Sequence, residues 1–157
     1  MDIGFGDVIT PSPSELDYPN LLDGFPNTDI MAYSLETVVA EKFQTMISRA
    51  ETNSRMKDFY DLYTILQGGK YNAEILDEAI KATFKNRQTN YMENHVAFSL
   101  AFAKNPNLNI RWNAFMKKLK IPTQLTFFCS NGLPPSQTKT LLGKFEIILR
   151  SSVLTLP

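Results

Sequence analysis

Lys42 and Asp58 are the residues of this chain whose types and positions first suggest chemistry. In the stretch ETVVAEKFQTMISRAETNSRMKDFYDLYTIL, Glu36 to Leu66, apolar residues recur at helical spacing in two runs, separated by the polar Glu51-Thr52-Asn53-Ser54. At about 100° per residue, Leu35, Val38, Val39, Phe43, Met46 and Ile47 share one arc of the first helix. Lys42 falls inside that arc and Arg49 lies on the same side, whereas Glu41, Gln44 and Ser48 fall largely opposite, toward solvent. In the second helix Phe59, Leu62, Ile65 and Leu66 define the buried arc, with Asp58 at its edge, Asp61 at the boundary and Lys57 facing away. A charge turned toward an apolar core costs several kcal/mol unless it is paired, hydrogen-bonded or opened to a cleft. One reading is therefore structural: a Lys42–Asp58 ion pair, or a lysine that snorkels to water. The other is a cleft in which Lys42 and Arg49 meet phosphate oxygens and Asp58 orients a ligand or a metal. If the helices form a hairpin about Glu51 to Ser54, Lys42 lies about four residues further from the turn than Asp58. That is roughly 6 Å of helix rise, an offset suited to groups flanking a ligand.

Those side chains need elements to hold them. Ser34 is suited to cap the first helix, with Glu36 in its first turn, and the helix is expected to run to about Ala50. The second follows Ser54 and ends at Gly68-Gly69, a pair suited to a C-terminal cap. Asn72 caps a third, with Ile75, Leu76, Ala79, Ile80 and Phe84 at core spacing. A fourth is expected over roughly Tyr91 to Lys104, stopped by Asn105-Pro106, and a fifth carries Leu108, Trp112, Phe115, Met116 and Leu119 on one face. Ahead of the helices, weak alternation over Asp2 to Ile9, around Gly4 and Gly6, predicts a short strand. From Thr10 to Asp29 four prolines, Pro11, Pro13, Pro19 and Pro26, predict an ordered surface loop. A lone strand is not stable, so this one calls for a partner later in the chain or for a sheet whose other strands are missing. Near the end, Phe127, Phe128 and the run Phe145 to Leu149 fit either strand or buried helix, as a small hairpin-like cap or a terminus docked on the helices.

The totals narrow the function without naming it. At 157 residues, 43% hydrophobic and 20% charged, the chain suffices for one globular domain and an appendage. Sixteen basic residues balance sixteen acidic ones, so no net positive field draws the whole molecule to nucleic acid, although a local basic groove stays open as a design. Cys129 is the only cysteine, which excludes an intrachain disulfide and a cysteine-based zinc site and suits a reducing cytoplasm. The sequence holds no apolar run of membrane-spanning length and MDIGFGD lacks a signal-peptide layout, so a soluble cytoplasmic chain without a membrane partner is expected.

The segment AYSLETVVAEKFQTMISRAETNSRMKDFYDLYTIL, Ala32 to Leu66, closely resembles the AbiEii/AbiGii toxin family of nucleotidyltransferase-like proteins. The family's A-Y-x-x-E-x-x-x-A-E-K segment is met by Ala32, Tyr33, Glu36, Ala40, Glu41 and Lys42. Arg49 follows, and then S-R-x-K-D-x-Y-D-L is met by Ser54, Arg55, Lys57, Asp58, Tyr60, Asp61 and Leu62. DIGFGDVITP resembles a late strand and turn of the family, while EAIKATFKNRQT, Glu78 to Thr89, and RWNAFMKKL, Arg111 to Leu119, resemble its helical C-terminal half.

The resemblance implies a catalytic lysine at Lys42 and a catalytic acid at Asp58, with Arg49, Arg55 and Asp61 as further nucleotide-binding residues and Asp2 as a metal-facing carboxylate. It implies Mg²⁺ and a nucleoside triphosphate, transfer of a nucleotide to a tRNA, another RNA or another acceptor, and a cognate antitoxin of the AbiEi-like kind. Lys42 would hold the triphosphate, and Asp58 would orient the lysine or assist the acceptor hydroxyl. The expected fold class is α+β, mostly α-helical: the C-terminal helical part of a nucleotidyltransferase-like fold with a remnant N-terminal β-strand. Residues 1–30 are expected to form the remnant strand and proline-rich loop, 31–122 the helical domain with the Lys/Asp motif, and 123–157 a divergent tail.

The family's Asp-x-Asp metal pair occurs nowhere in this sequence, and Gly68-Gly69 is followed by Lys70 rather than by Ser or Thr and two spaced aspartates. The expectation is therefore a truncated, inactive or partial form, or one that joins a separately encoded N-terminal half. A non-catalytic helical module that binds an antitoxin or that missing half is the rival expectation. His95, the only histidine, has no partner motif and reads as an ordinary helix residue. Gly4-Phe5-Gly6 reads as turn chemistry and Lys117-Lys118-Leu119-Lys120 as a solvated face rather than an RNA contact.

Overall fold

The computed structural model describes residues 6–90 and 95–120. Two strands, β1 (Ser14–Tyr18) and β2 (Thr28–Ala32), precede five helices: α1 (Leu35–Arg49), α2 (Met56–Gly68), α3 (Ala73–Asn86), α4 (Leu100–Ala103) and α5 (Pro106–Leu119). The architecture is α+β and mostly helical.

The helix boundaries follow from local hydrogen bonding. Ser34 Oγ accepts the backbone N–H of Thr37 at 3.1 Å and starts α1. The same hydroxyl and Thr37 Oγ1 both donate to the carbonyl of Thr10, which pins the N-terminal segment against the start of α1. Gly69 closes α2 in the left-handed region, at φ 61°, where the absence of a β-carbon removes the steric cost. Asn72 caps α3, accepting from Glu74 and Ile75, and its own N–H donates to Glu36 Oε1 at 2.8 Å, tying the starts of α1 and α3 together. Asn105 caps α5 ahead of Pro106.

α1 packs against both α2 and α3, and α2 against α5. Val39, Phe43, Met46 and Ile47 of α1 meet Phe59, Leu62, Leu76, Ile80 and Phe84 in one apolar core, which Leu108, Trp112 and Met116 of α5 extend. The rings of Phe43 and Phe84 lie 5.5 Å apart. The buried stripe of α1 is rotated from its expected arc: Leu35 is exposed and Val38 half-buried, whereas Ala40 and Gln44 are buried. Gln44, on that side, bonds Arg87 and Thr89 just past the end of α3, and Lys42 stands at the flank of the stripe, half-buried.

Three expectations are corrected. The strand expected over Asp2 to Ile9 is absent from its described part, residues 6–9, while Asp2 lies outside the described residues. Strands appear instead within the segment expected to be loop. β1 and β2 pair antiparallel, with Leu16 opposite Ile30 and Asp17 opposite Asp29, and the prolines flank these strands or lie between them. Both strands are exposed along nearly their whole length, so burial imposes no alternation that the sequence would display. The fourth helix is also shorter than expected. Tyr91 to Asn94 lie outside the described residues, His95 Nδ1 accepts the N–H of Ala97 to cap a 3₁₀ turn, Val96–Phe98, and extended Ser99 separates that turn from α4. His95 is thus a cap rather than a helix residue. The tail over 123–157 lies outside the described residues.

Candidate active site

α1 and α2 form the hairpin that brings the motif together. Lys42 Nζ donates to Asp58 Oδ1 at 3.0 Å and stands 2.8 Å from Asp61 Oδ2. Asp58 and Asp61 are three residues apart on one helix face, so a single ammonium reaches both carboxylates. Lys57 approaches Asp61 from the next turn at 2.6 Å. The side chains of Lys42, Asp58 and Asp61 are only 20%, 14% and 20% exposed, which strengthens these contacts relative to surface pairs. The 6 Å axial offset read from the sequence is closed by the long lysine stem, and the two charges form a direct pair rather than standing apart.

Burial and the ion pairs shift three groups of the site, Lys42, Asp61 and Glu41. Burial alone would depress Lys42, but the hydrogen bonds from its ammonium to Asp61 and Asp58 outweigh it and hold its pKa above the ordinary lysine value. Burial likewise pushes Asp61 up, and the bonds from Lys42 and Lys57 prevail and lower its pKa. Glu41 moves the other way: burial and the nearby Asp7 raise its pKa, opposed by Arg87 and Lys42.

A cleft of about 170 Å³ opens beside the pair, lined by Val38, Glu41, Lys42, Thr45, Arg55, Asp58 and Arg87. Arg87, just past the end of α3, has its guanidinium held on three sides. It donates to Gln44 Oε1 and to Asp7 Oδ1, each at 2.9 Å, and lies 3.8 Å from Glu41 Oε1. Gln44 in turn donates to Thr89 Oγ1 at 2.7 Å. Lys42 and Arg87, held by their partners, and the exposed Arg55 therefore line the cleft with Glu41 and Asp58, and guanidinium and ammonium groups so placed can meet phosphate oxygens.

Of the residues singled out in the sequence, Lys42, Asp58, Asp61 and Arg55 come together here. Arg49 does not: it ends α1, exposed, about 10 Å of helix rise beyond Lys42, and it is not among the lining residues. Glu41 and Gln44, expected on the solvent side, belong to the site's supporting network, and Asp7 and Arg87 had no assigned role. The run Lys85-Asn86-Arg87 after an amphipathic helix was a weak signal for Arg87, because its partner Asp7 is 80 residues away in sequence.

Residues 1–139 match the family described as nucleotidyl transferase AbiEii toxin, type IV TA system. The chain belongs to that family. No curated protein and no solved structure matches it. Membership in this toxin family of type IV toxin–antitoxin systems implies an antitoxin partner. Among the described residues no helix is long and apolar enough to cross a membrane.

The divalent cation associated with nucleotidyl transfer does not fit the carboxylates described. Asp58 and Asp61 are committed to lysines and Asp7 to Arg87. Among the described residues no group of three or more His, Cys, Asp or Glu is placed to hold a metal ion.

Proposed function

We propose that the cleft beside Lys42 and Asp58 holds the triphosphate of a nucleoside triphosphate, and that this toxin transfers the nucleotide to an RNA or another hydroxyl acceptor. The observation that carries this reading is the shared ammonium: Lys42, fixed by two carboxylates, beside the guanidinium groups of Arg55 and Arg87 on one small cleft. The cleft volume suits phosphoryl groups, below the roughly 300–1,000 Å³ of sites that take a whole small molecule, and leaves base and ribose outside.

In transfer, an acceptor hydroxyl oxygen attacks the α-phosphorus and the bond to the bridging oxygen breaks, releasing pyrophosphate. Negative charge grows on the departing oxygens, and fixed cations that need no reorganisation lower its cost. Lys42 supplies such a charge and stays protonated at neutral pH. Asp58 holds it in place through Oδ1, leaving the second carboxylate oxygen to accept the acceptor's proton.

The test is incubation of the full chain with RNA, Mg²⁺ and nucleoside triphosphates radiolabelled at the α-phosphate. Label entering RNA and absent with Lys42→Ala supports transfer, whereas no label, or label indifferent to Lys42, contradicts it.

A second reading, a module that binds an antitoxin or a separately encoded half of the site, is favoured by the β1–β2 hairpin. Leu16, Ile30 and Met31 on the strands and Leu21 and Phe25 between them are exposed, and a two-stranded sheet leaves open edges for an added strand.

A further inference from the structure

A second and larger groove, about 610 Å³, adjoins the cleft between the start of α2 and the outer face of α5. Its walls include Arg55, Met56, Lys57, Arg111, Ala114 and Phe115. Arg55 and Asp58 line both spaces, so groove and cleft lie side by side. Arg111 Nη1 donates to the carbonyl of Asn53 at 3.2 Å, which ties α5 to the loop before α2 and fixes the two walls relative to each other.

The charge and the surface chemistry of this groove point to one kind of occupant. Among the described residues no carboxylate lies within ion-pairing distance of Arg55 or Arg111, and both residues are exposed. Asp58, the acid on the wall, is engaged by Lys42. Between the cations the lining is apolar. Phe115 is half-buried, its ring packed edge-on to Tyr60 at 6.0 Å and tilted against Trp112 at 5.9 Å, and it borders the groove. Guanidinium groups free of carboxylate partners beside an aromatic ring suit phosphates and bases in alternation. A neutral nucleoside would use the ring and leave the charges of Arg55 and Arg111 without an anion.

We propose that this groove receives the acceptor: the end of a single-stranded RNA whose phosphates meet Arg55 and Arg111, one of whose bases stacks on Phe115, and whose terminal hydroxyl reaches the Lys42–Asp58 cleft. The inference deepens the transfer reading and rests on it for the word acceptor. Strand binding itself is measured without nucleotide or metal, so it fails or stands independently of catalysis.

The experiment is fluorescence anisotropy with the full chain and a short fluorescein-labelled oligoadenylate across a series of salt concentrations. Arg55→Gln and Arg111→Gln are each expected to weaken binding and to reduce the slope of log affinity against log salt by about 0.7, the value for one lost phosphate contact on a single strand. Phe115→Leu keeps an apolar side chain and is expected to weaken binding roughly tenfold without changing that slope. Arg49→Gln, an exposed cation outside the groove, is expected to bind as wild type. Thermal melts of each variant exclude loss of fold, and Arg55 serves best because it makes no side-chain hydrogen bond among the described residues. Binding unaffected by Arg55→Gln and Phe115→Leu, or weakened as much by Arg49→Gln, would overturn the assignment. So would an acidic peptide that competes as well as the oligonucleotide and is indifferent to Phe115, because the groove would then belong to a protein partner.

Discussion

The ammonium of Lys42 lies 3.0 Å from a carboxylate oxygen of Asp58, across the α1–α2 hairpin and largely out of solvent. The pair is at once part of the fold and the feature on which the proposed chemistry depends. Removing the lysine leaves Asp58 without its cation and Asp61 with Lys57 alone. Lys42→Met is expected to destabilise the chain by about 1–3 kcal/mol, the range for leaving a partly buried charged group unpaired. Adding Asp58→Leu should recover part of that loss, and urea denaturation of the single and double variants measures the coupling. Strict additivity would mean that the two side chains do not interact in solution.

The same groups set opposite slopes of stability with pH. Lys42 binds its proton more tightly folded than unfolded, so its contribution is complete below the unfolded lysine pKa of about 10.4 and is lost as pH rises through the folded value. Asp61 is depressed, so its contribution is complete above the unfolded aspartate pKa of about 3.9 and is lost as pH falls through the folded value. Thermal melts across pH are expected to show Lys42→Met removing the alkaline loss.

Glu41 works against the fold at neutral pH. Its raised pKa means that ionisation is costlier in the folded state, a penalty relieved as pH falls through the folded value. Its Oε1 is buried without a hydrogen-bond partner, 3.8 Å from Arg87. Glu41→Gln is expected to raise the melting temperature at neutral pH and to flatten the mildly acidic part of the profile. A lower melting temperature would show that the Arg87 contact outweighs burial.

Gln44 should be intolerant of change although it is polar. It is buried, accepts from Arg87 and donates to Thr89, so Gln44→Leu is expected to cost about 1–3 kcal/mol by leaving those groups unsatisfied. Chemical denaturation measures this, and a neutral substitution would refute the network's contribution.

On the hairpin, Asp17 faces Asp29 across the strands. Like charges directly opposite destabilise a sheet, and Asp29→Lys should add about 0.2–1 kcal/mol, read as slower hydrogen exchange of the β1 amides. Unchanged exchange would show that the hairpin does not depend on this pair.

The sequence showed most clearly what is decided locally. Ser34 and Asn72 cap helices through side chains that reach only two or three residues ahead, and Gly69 ends one through its own backbone, so residue type sufficed; Asn105, read only as a stop, proves to cap α5. What depends on a distant neighbour was hidden. The orientation of α1 depends on its packing against α3, and the position of Arg87 on Asp7 and Gln44. Lys42 and Asp58 were legible because a charge near an apolar stripe breaks a pattern. Asp61 was underrated because its access to Lys42 appears only once the hairpin is formed. The strands were missed for a different reason: with both faces exposed, nothing selects an alternating sequence.

Calorimetric titration of a nucleoside triphosphate with Mg²⁺ into the full chain tests the central claim most directly. Three forms are compared: wild type, Lys42→Ala and the distant Arg49→Ala. A cleft that holds triphosphate requires heat of binding in wild type and Arg49→Ala, and its loss in Lys42→Ala with the fold intact by circular dichroism. No binding by any form, or equal binding by wild type and Lys42→Ala, would contradict it and leave the Lys42–Asp58 pair as an element of the fold alone.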